Sequence, residues 1–200
     1  MLFDLAPVPG LKLEEELIGR EEEQALIERI AAEPLTPFRF QGFEGKRLTR
    51  SFGWHYDFAA QRLSETDPLP AWLLPVRERC ARFAGLPADA LEQALLIRYD
   101  PGAGIGWHRD RPVFEEVVGL SLGAPATMDF RRRLGERRFA RVPVSLPPRS
   151  AYLLGGPARH EWEHGIRPHP ALRFSITFRA LRHNRPKRTT TALAERQRDN

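Results

Sequence analysis

The sequence predicts an α+β chain with a mainly β core, built as a sandwich, barrel or jelly roll with helices in its N-terminal half. Three observations predict it. From Leu91 onwards about eight short β-favouring runs alternate with Gly/Pro turns, the spacing of closed or two-layered antiparallel folds. Upstream, two stretches carry apolar residues at helical spacing. The chain has 200 residues, 42% hydrophobic and 28% charged, which is the size and composition of one globular domain and excludes wholesale disorder.

Residues 1–19 read as an irregular or extended lead-in. Arg20 to Ala32 reads as a helix: glutamates crowd its first turn, where the helix dipole favours negative charge, and Leu26, Ile27 and Ile30 form its apolar stripe. Pro34 and Pro37 stop it. Residues 38–60 are aromatic and basic, with Gly42, Gly45 and Gly53 marking turns between short extended pieces. A second helix runs from Ala71 to Ala84, with Leu73, Val76, Cys80 and Phe83 on one stripe and Pro75 near the first turn, where proline is tolerated. The β-favouring runs follow: ALLIRY, IGWH, VVGLSL, ATMDFR, RFARVPV, SAYLL, EWEHGI and LRFSITFR. No repeat of 20–50 residues is visible, so a solenoid is not expected. Residues 182–200 are polar and basic and read as a disordered tail.

Charge is divided unevenly. Residues 1–33 hold nine acids against three bases, and residues 182–200 hold six bases against two acids. The formal total is +5, which leaves residues 34–181 at +7 and points to an anionic partner. No apolar run approaches the ~20 residues of a membrane span. The single cysteine, Cys80, excludes an internal disulfide and a Cys-based zinc cage. With no signal-peptide pattern at the N-terminus, a cytoplasmic, monomeric protein without membrane association is the expectation.

The chemistry concentrates in Gly104-Ile-Gly-Trp-His108-Arg-Asp110. A His-x-Asp pair on an extended strand puts imidazole and carboxylate on one face. Two histidines and one carboxylate on a facial triangle leave three metal positions open, the arrangement of non-haem Fe(II) oxygenases. The third ligand comes from further on, and spacing alone leaves both His160 and His164 as candidates. The last strand carries Arg173-Phe-Ser-Ile-Thr-Phe-Arg179. In a regular strand Arg173, Ser175, Thr177 and Arg179 share a face, opposite Phe174, Ile176 and Phe178. Two arginines on an inward face need an anion, and a dicarboxylate satisfies both bidentately.

Taken in order, RYDPGAGIGWHRD, GLSLG, GGPARHEWEHGI and RFSITFR resemble the AlkB family of Fe(II)- and 2-oxoglutarate-dependent dioxygenases, over about residues 93–181. The resemblance implies a double-stranded β-helix, the jelly-roll variant of the fold read above. It implies that His108, Asp110 and His164 bind Fe(II), with His164 preferred over His160 because it stands directly before Gly-Ile. Arg173, assisted by Tyr99, would take the far carboxylate of 2-oxoglutarate, and Arg179 would lie near Asp110. With O2, the co-substrate becomes succinate and CO2 while a substrate C–H is hydroxylated; an N-methyl group so attacked leaves as formaldehyde. Two positions depart from the family pattern: Ile97 and Ser175 stand where members often have Asn. The implied substrate is alkylated nucleic acid, single-stranded or base-flipped. The alternatives are a protein or small-molecule substrate, or a non-catalytic nucleic-acid-binding module on the same fold.

On that reading residues 38–60 form a substrate lid and residues 91–181 the jelly-roll core of one domain spanning residues 1–181. Phe40, Phe43, Trp54 and Tyr56 either stack on a nucleobase or cover the barrel. Arg47 and Arg50 are expected in solvent unless they meet phosphate. Trp107, Arg109 and Arg111 flank the metal residues and belong, with Arg50, among the candidate substrate contacts. Arg131 to Arg138 reads as an arginine-armed hairpin, a phosphate grip or a solvated turn.

Overall fold

The computed structural model describes residues 8–40 and 43–182, with backbone only at residues 39, 40, 43 and 44. The expected tail therefore lies outside the described residues except for Arg182. In chain order the elements are β1 (Leu11–Glu14), α1 (Arg20–Ala32), β2 (Thr36–Phe40), β3 (Phe43–Phe52), β4 (Trp54–Asp57), β5 (Arg62–Glu65), α2 (Leu74–Ala84), β6 (Leu91–Tyr99), β7 (Ile105–His108), β8 (Phe114–Gly123), β9 (Ala126–Arg133), β10 (Phe139–Leu146), β11 (Ala151–Leu154), α3 (Gly156–His160), β12 (Glu163–Ile166) and β13 (Arg173–Leu181). Short 3-10 turns precede α2 and β6.

The strands build a jelly roll. A seven-stranded major sheet runs β1-β11-β8-β13-β6-β3-β2, and a four-stranded minor sheet runs β10-β9-β12-β7. Their pairings are antiparallel. The β4–β5 hairpin forms a separate pair. The segment expected as short extended pieces is more ordered than that reading: β3 is ten residues long and pairs with β6, so it is part of the major sheet.

Strand alternation sorts the major sheet into two faces. On β13, Phe174, Ile176, Phe178 and Ala180 join Leu96, Leu120 and Leu122 in one buried cluster. Leu26 and Ile30 of α1 and Val76 and Cys80 of α2 complete that cluster, which is how both helices cover one side of the sheet. The other face looks toward the minor sheet, where Ile97, Tyr99, Val117 and Tyr152 meet Met128, Phe130 and Leu146. Arg173, Ser175 and Thr177 are buried on this face.

The glutamates of α1 do more than complement its dipole. Glu23 accepts a hydrogen bond from the Gly123 amide at 2.8 Å and one from Arg149 at 3.1 Å, and Glu22 pairs with Arg79 of α2. One carboxylate thereby ties the helix to the end of β8. A single close approach sets the pocket wall: a Cβ on Gly119 would lie 2.1 Å from the ring of Tyr152. Only glycine lets that phenol lie across the strand.

Candidate active site

Three strand ends and one loop converge between the sheets. The Asp100-Pro-Gly-Ala turn closes with an Ala103 amide to Asp100 carbonyl bond of 2.8 Å, and Gly102 adopts φ +82° there. The turn delivers β7, on which His108 stands directly opposite His164 of β12. Their rings lie 4.3 Å apart, and His164 Nε2 lies 3.5 Å from an Asp110 oxygen. Ligand atoms of His108, Asp110 and His164 all fall within 4.8 Å of one another. His160, the competing candidate, points elsewhere: from the end of α3 its Nε2 meets Glu115 of β8 at 2.8 Å.

The surroundings hold these groups in ligating forms. His108 Nδ1 lies 3.0 Å from the Gly106 carbonyl; donating there leaves the Nε2 lone pair free. Burial, followed by the neighbouring His108, pushes His164 down to about 3. Burial likewise lowers His108, against the pull of Asp110. Burial alone would raise the Asp110 carboxyl, but Arg179, the two histidines and Arg159 hold it well below the usual carboxylate range. Arg179 donates to Asp110 at 3.0 Å and to Gln93 at 2.9 Å. Gln93 in turn donates to the Trp54 carbonyl, which ties the start of β4 to the site.

This arrangement has a measurable consequence in the metal-free chain. Between the ordinary imidazole value of 6.5 and about 3, the unfolded chain binds a proton at residue 164 that the native chain refuses. Stability is therefore intact above pH 6.5 and falls as pH drops, by about 1.4 kcal/mol per pH unit. Thermal unfolding of metal-free protein from pH 7 to pH 5 is expected to show this slope, and His164→Gln to flatten it by about that amount. Equal slopes would mean that His164 is not held neutral.

Next to the triad lies a second, cationic pocket. Arg173 is buried, sits 4.9 Å over the Tyr99 ring and donates to Ser121 at 3.1 Å. Its Nε and Nη1 are buried without a protein partner. Tyr152, whose phenol burial pushes up to about 12, is close enough to interact with both Tyr99 and Arg173. Ile97 is buried among apolar neighbours and lies across from Ser175, so neither departure from the family pattern disturbs the triad.

One residue that the sequence left in solvent is found at the site. Arg47 pairs across strands with Tyr99, hydrogen-bonds it, and lies near enough to Arg179 and Asp110 to feel both charges. It also stacks on Phe38 at 3.9 Å. Arg50 lies opposite Leu96, on the helix-covered face away from the site, where it pairs with Glu33 at 2.9 Å and Asp67 at 3.0 Å; this corrects its expected place among the substrate contacts. Both correct the expectation of solvated side chains: an alternating strand hydrogen-bonded to β6 turns Arg47 inward, a pairing that local sequence does not disclose. Arg159 and Gln93 were also missed; buried Arg159 donates to the carbonyls of Arg111 and Phe114 and so fixes the loop after Asp110.

The candidate substrate residues are distributed around this centre. Tyr56 packs edge-on against Phe58, Phe58 against Phe38, and Arg111 lies over both Tyr56 and Phe58. Trp54 lies on β4, half-buried. Arg109 donates to the His160 carbonyl at 3.2 Å. Trp107 turns to the opposite face of β7 from His108 and is 37% exposed. The side chains of Phe40 and Phe43 lie outside the described residues.

A jelly roll that brings two imidazoles and one carboxylate to a point beside a buried cationic pocket has the construction of a non-haem Fe(II) oxygenase. The donor set fits Fe(II), and the unpartnered N–H groups of Arg173 fit a carboxylate. A family model described as the 2OG-Fe(II) oxygenase superfamily matches residues 10–179, and the chain belongs to that superfamily as an AlkB-like member. The tRNA (carboxymethyluridine(34)-5-O)-methyltransferase ALKBH8 of Mus musculus is 33% identical over 169 residues, covering 80% of this chain and 24% of that protein. The Alkylated DNA repair protein ALKBH8 homolog of Arabidopsis thaliana is 29% identical over 185 residues, covering 81% of this chain and 51% of that protein. The chain thus spans about a quarter to a half of the length of these relatives. The solved structure of OsALKBH1 superposes with a TM-score of 0.66 at 16% identity, over 86% of this chain and 98% of that one, a likeness of fold. The chain is a 2-oxoglutarate-dependent dioxygenase, with Fe(II) as cofactor and 2-oxoglutarate and O2 as co-substrates.

Proposed function

We propose that this dioxygenase removes alkyl groups from the nitrogens of nucleobases in single-stranded or base-flipped nucleic acid. His108, Asp110 and His164 hold the iron. Arg173 and Tyr99 take the far carboxylate of 2-oxoglutarate, and Arg179 keeps Asp110 ionised and aimed. The bound metal and co-substrates supply the oxidation that turns 2-oxoglutarate into succinate and CO2 and hydroxylates a substrate C–H bond. Residues 38–60 act as the substrate lid of one domain spanning residues 1–181.

The observation that carries the substrate reading is the mouth of the site. Phe38, Tyr56 and Phe58 interleave with Arg47 and Arg111, and these two arginines stand beside Tyr99 and Asp110. Flat aromatic faces alternating with guanidinium groups suit an unstacked base and its phosphate. The net +7 of residues 34–181 agrees, as do the names of the mouse and Arabidopsis relatives, one a tRNA methyltransferase and one an alkylated DNA repair protein.

The test is mass spectrometry of oligonucleotides bearing 1-methyladenine or 3-methylcytosine, in DNA and in RNA, with Fe(II), 2-oxoglutarate and ascorbate. The expected result is loss of the methyl group in step with succinate formation. A single strand should react at least about tenfold faster than a duplex of the same sequence, because a duplex must first give up stacking. Succinate production beside intact oligonucleotides would sink the nucleobase reading and favour a protein or small-molecule substrate.

A further inference from the structure

We infer that the outer face of the minor sheet, along Trp107, Arg131 and Phe139, is a docking track for the single strand that flanks the target nucleotide. The inference rests on the nucleic-acid reading above. It concerns a different surface from the mouth of the site.

The inner face of this sheet carries the site: His108 on β7, His164 on β12 and Phe130 on β9. The neighbouring residue on each strand, by alternation, faces outward: Trp107, Glu163 and Arg131. Glu163 lies opposite Arg131 and accepts its Nε hydrogen bond at 2.7 Å. So held, the Arg131 guanidinium lies 4.5 Å over the Trp107 ring and 5.1 Å over the Phe139 ring. The result is an aromatic–guanidinium–aromatic row that crosses the sheet from the edge strand β7 to the edge strand β10.

Two properties select the partner. Trp107 and Phe139 are each 37% exposed, the only aromatic side chains among the large exposed apolar residues of the described chain. Rings left in water at this cost suit a ligand with flat faces of its own. The rim is cationic: Arg137, Arg138 and Arg141 form no ion pair among the described residues, and Arg141 lies directly opposite Arg131 on β10. Bases for the rings and phosphates for the free arginines are offered together by a single strand, whereas a duplex hides its base faces. Trp107 is adjacent to His108 on the edge strand β7, so the track begins on the strand that carries a metal ligand.

The experiment measures binding of fluorescent, unmethylated thymidine oligonucleotides of 3 and 12 nucleotides to the full chain by anisotropy, over a range of salt. In the unmodified chain the longer strand is expected to bind at least tenfold more tightly. Trp107→Ala should weaken the 12-mer about tenfold, through loss of one stacked base, and Arg141→Ala should flatten the slope of log K against log salt by about 0.7, one phosphate contact on a single strand. Arg82→Glu, an exposed charge on α2 at the other side of the molecule, should change neither the length dependence nor the Trp107 effect. Arg141 is exposed and unpaired, so its removal leaves the fold in place. Demethylation of oligonucleotides with unchanged salt slope and length dependence in both variants would overturn the track while leaving the nucleobase reading standing. Failure of the unmodified chain to bind or demethylate any oligonucleotide would overturn both. Displacement of the 12-mer by a poly-glutamate peptide of equal charge as effectively as by unlabelled oligonucleotide would also overturn the track, in favour of an acidic protein partner.

Discussion

An Asp110→Ala chain is expected to lose Fe(II)-dependent conversion of 2-oxoglutarate to succinate by at least about a thousandfold and also to be less stable than its parent. The first effect follows from the ligand count: two imidazoles remain where three donors converged within 4.8 Å. The second follows from charge. Arg179 gives its Nε hydrogen bond to Asp110 at 3.0 Å and is only 13% exposed, and removing the carboxylate leaves it beside Arg47 and Arg159 with no anion. Breaking a buried pair from one side costs about 3–5 kcal/mol. Metal-free thermal unfolding and succinate yield together check both parts. A variant that is inactive but as stable as the parent would show that Asp110 is a ligand without being Arg179's counter-charge.

Replacing Arg173 by Met should have two effects of opposite sign. Without co-substrate, Arg173 is a buried guanidinium with one hydrogen bond to Ser121 and two unpartnered nitrogens, and no carboxylate pairs with it among the described residues. An apolar chain of similar length removes that desolvation penalty, and the free protein should gain about 1–3 kcal/mol. With co-substrate, the lost bidentate pair should raise the KM for 2-oxoglutarate by about 100-fold or more. Arg173→Lys should fall between, since it keeps the charge and loses the fork. Thermal melts with and without 2-oxoglutarate read both effects in one experiment: the Met chain should melt higher than the parent when free and show no rise when the co-substrate is added. A Met chain that is still stabilised by 2-oxoglutarate would place the far carboxylate elsewhere.

Much of this site was legible because strand alternation makes a pattern of two. Arg173, Ser175 and Thr177 are buried toward the minor sheet, and Phe174, Ile176 and Phe178 toward the helices, as the spacing requires. The jelly roll followed from eight β runs with turn residues between them, and His108 and Asp110 followed from adjacency. Arg47, Gln93 and Arg159 were not legible. Each acts across the fold: Arg47 reaches Tyr99 only because β3 pairs with β6, 52 residues later in the chain. Spacing alone left His160 and His164 open and the resemblance chose His164; the fold supplies the reason, since His160 ends α3 against Glu115 whereas His164 on β12 faces His108. A one-residue shift of β12 against β7 would turn His164 outward and put Glu163 in its place.

The position of β13 has a consequence for how the protein comes into being. It is the last strand of the described chain, yet it lies at the middle of the major sheet, hydrogen-bonded to β8 on one side and β6 on the other. Until it arrives, those two strands have no common neighbour, and Asp110 has no Arg179. A nascent chain leaving the ribosome therefore cannot close the sheet or charge-balance its metal ligands until residue 179 has emerged. Closure of the catalytic centre therefore rests on pairings of long sequence separation, which are intrinsically slow to form.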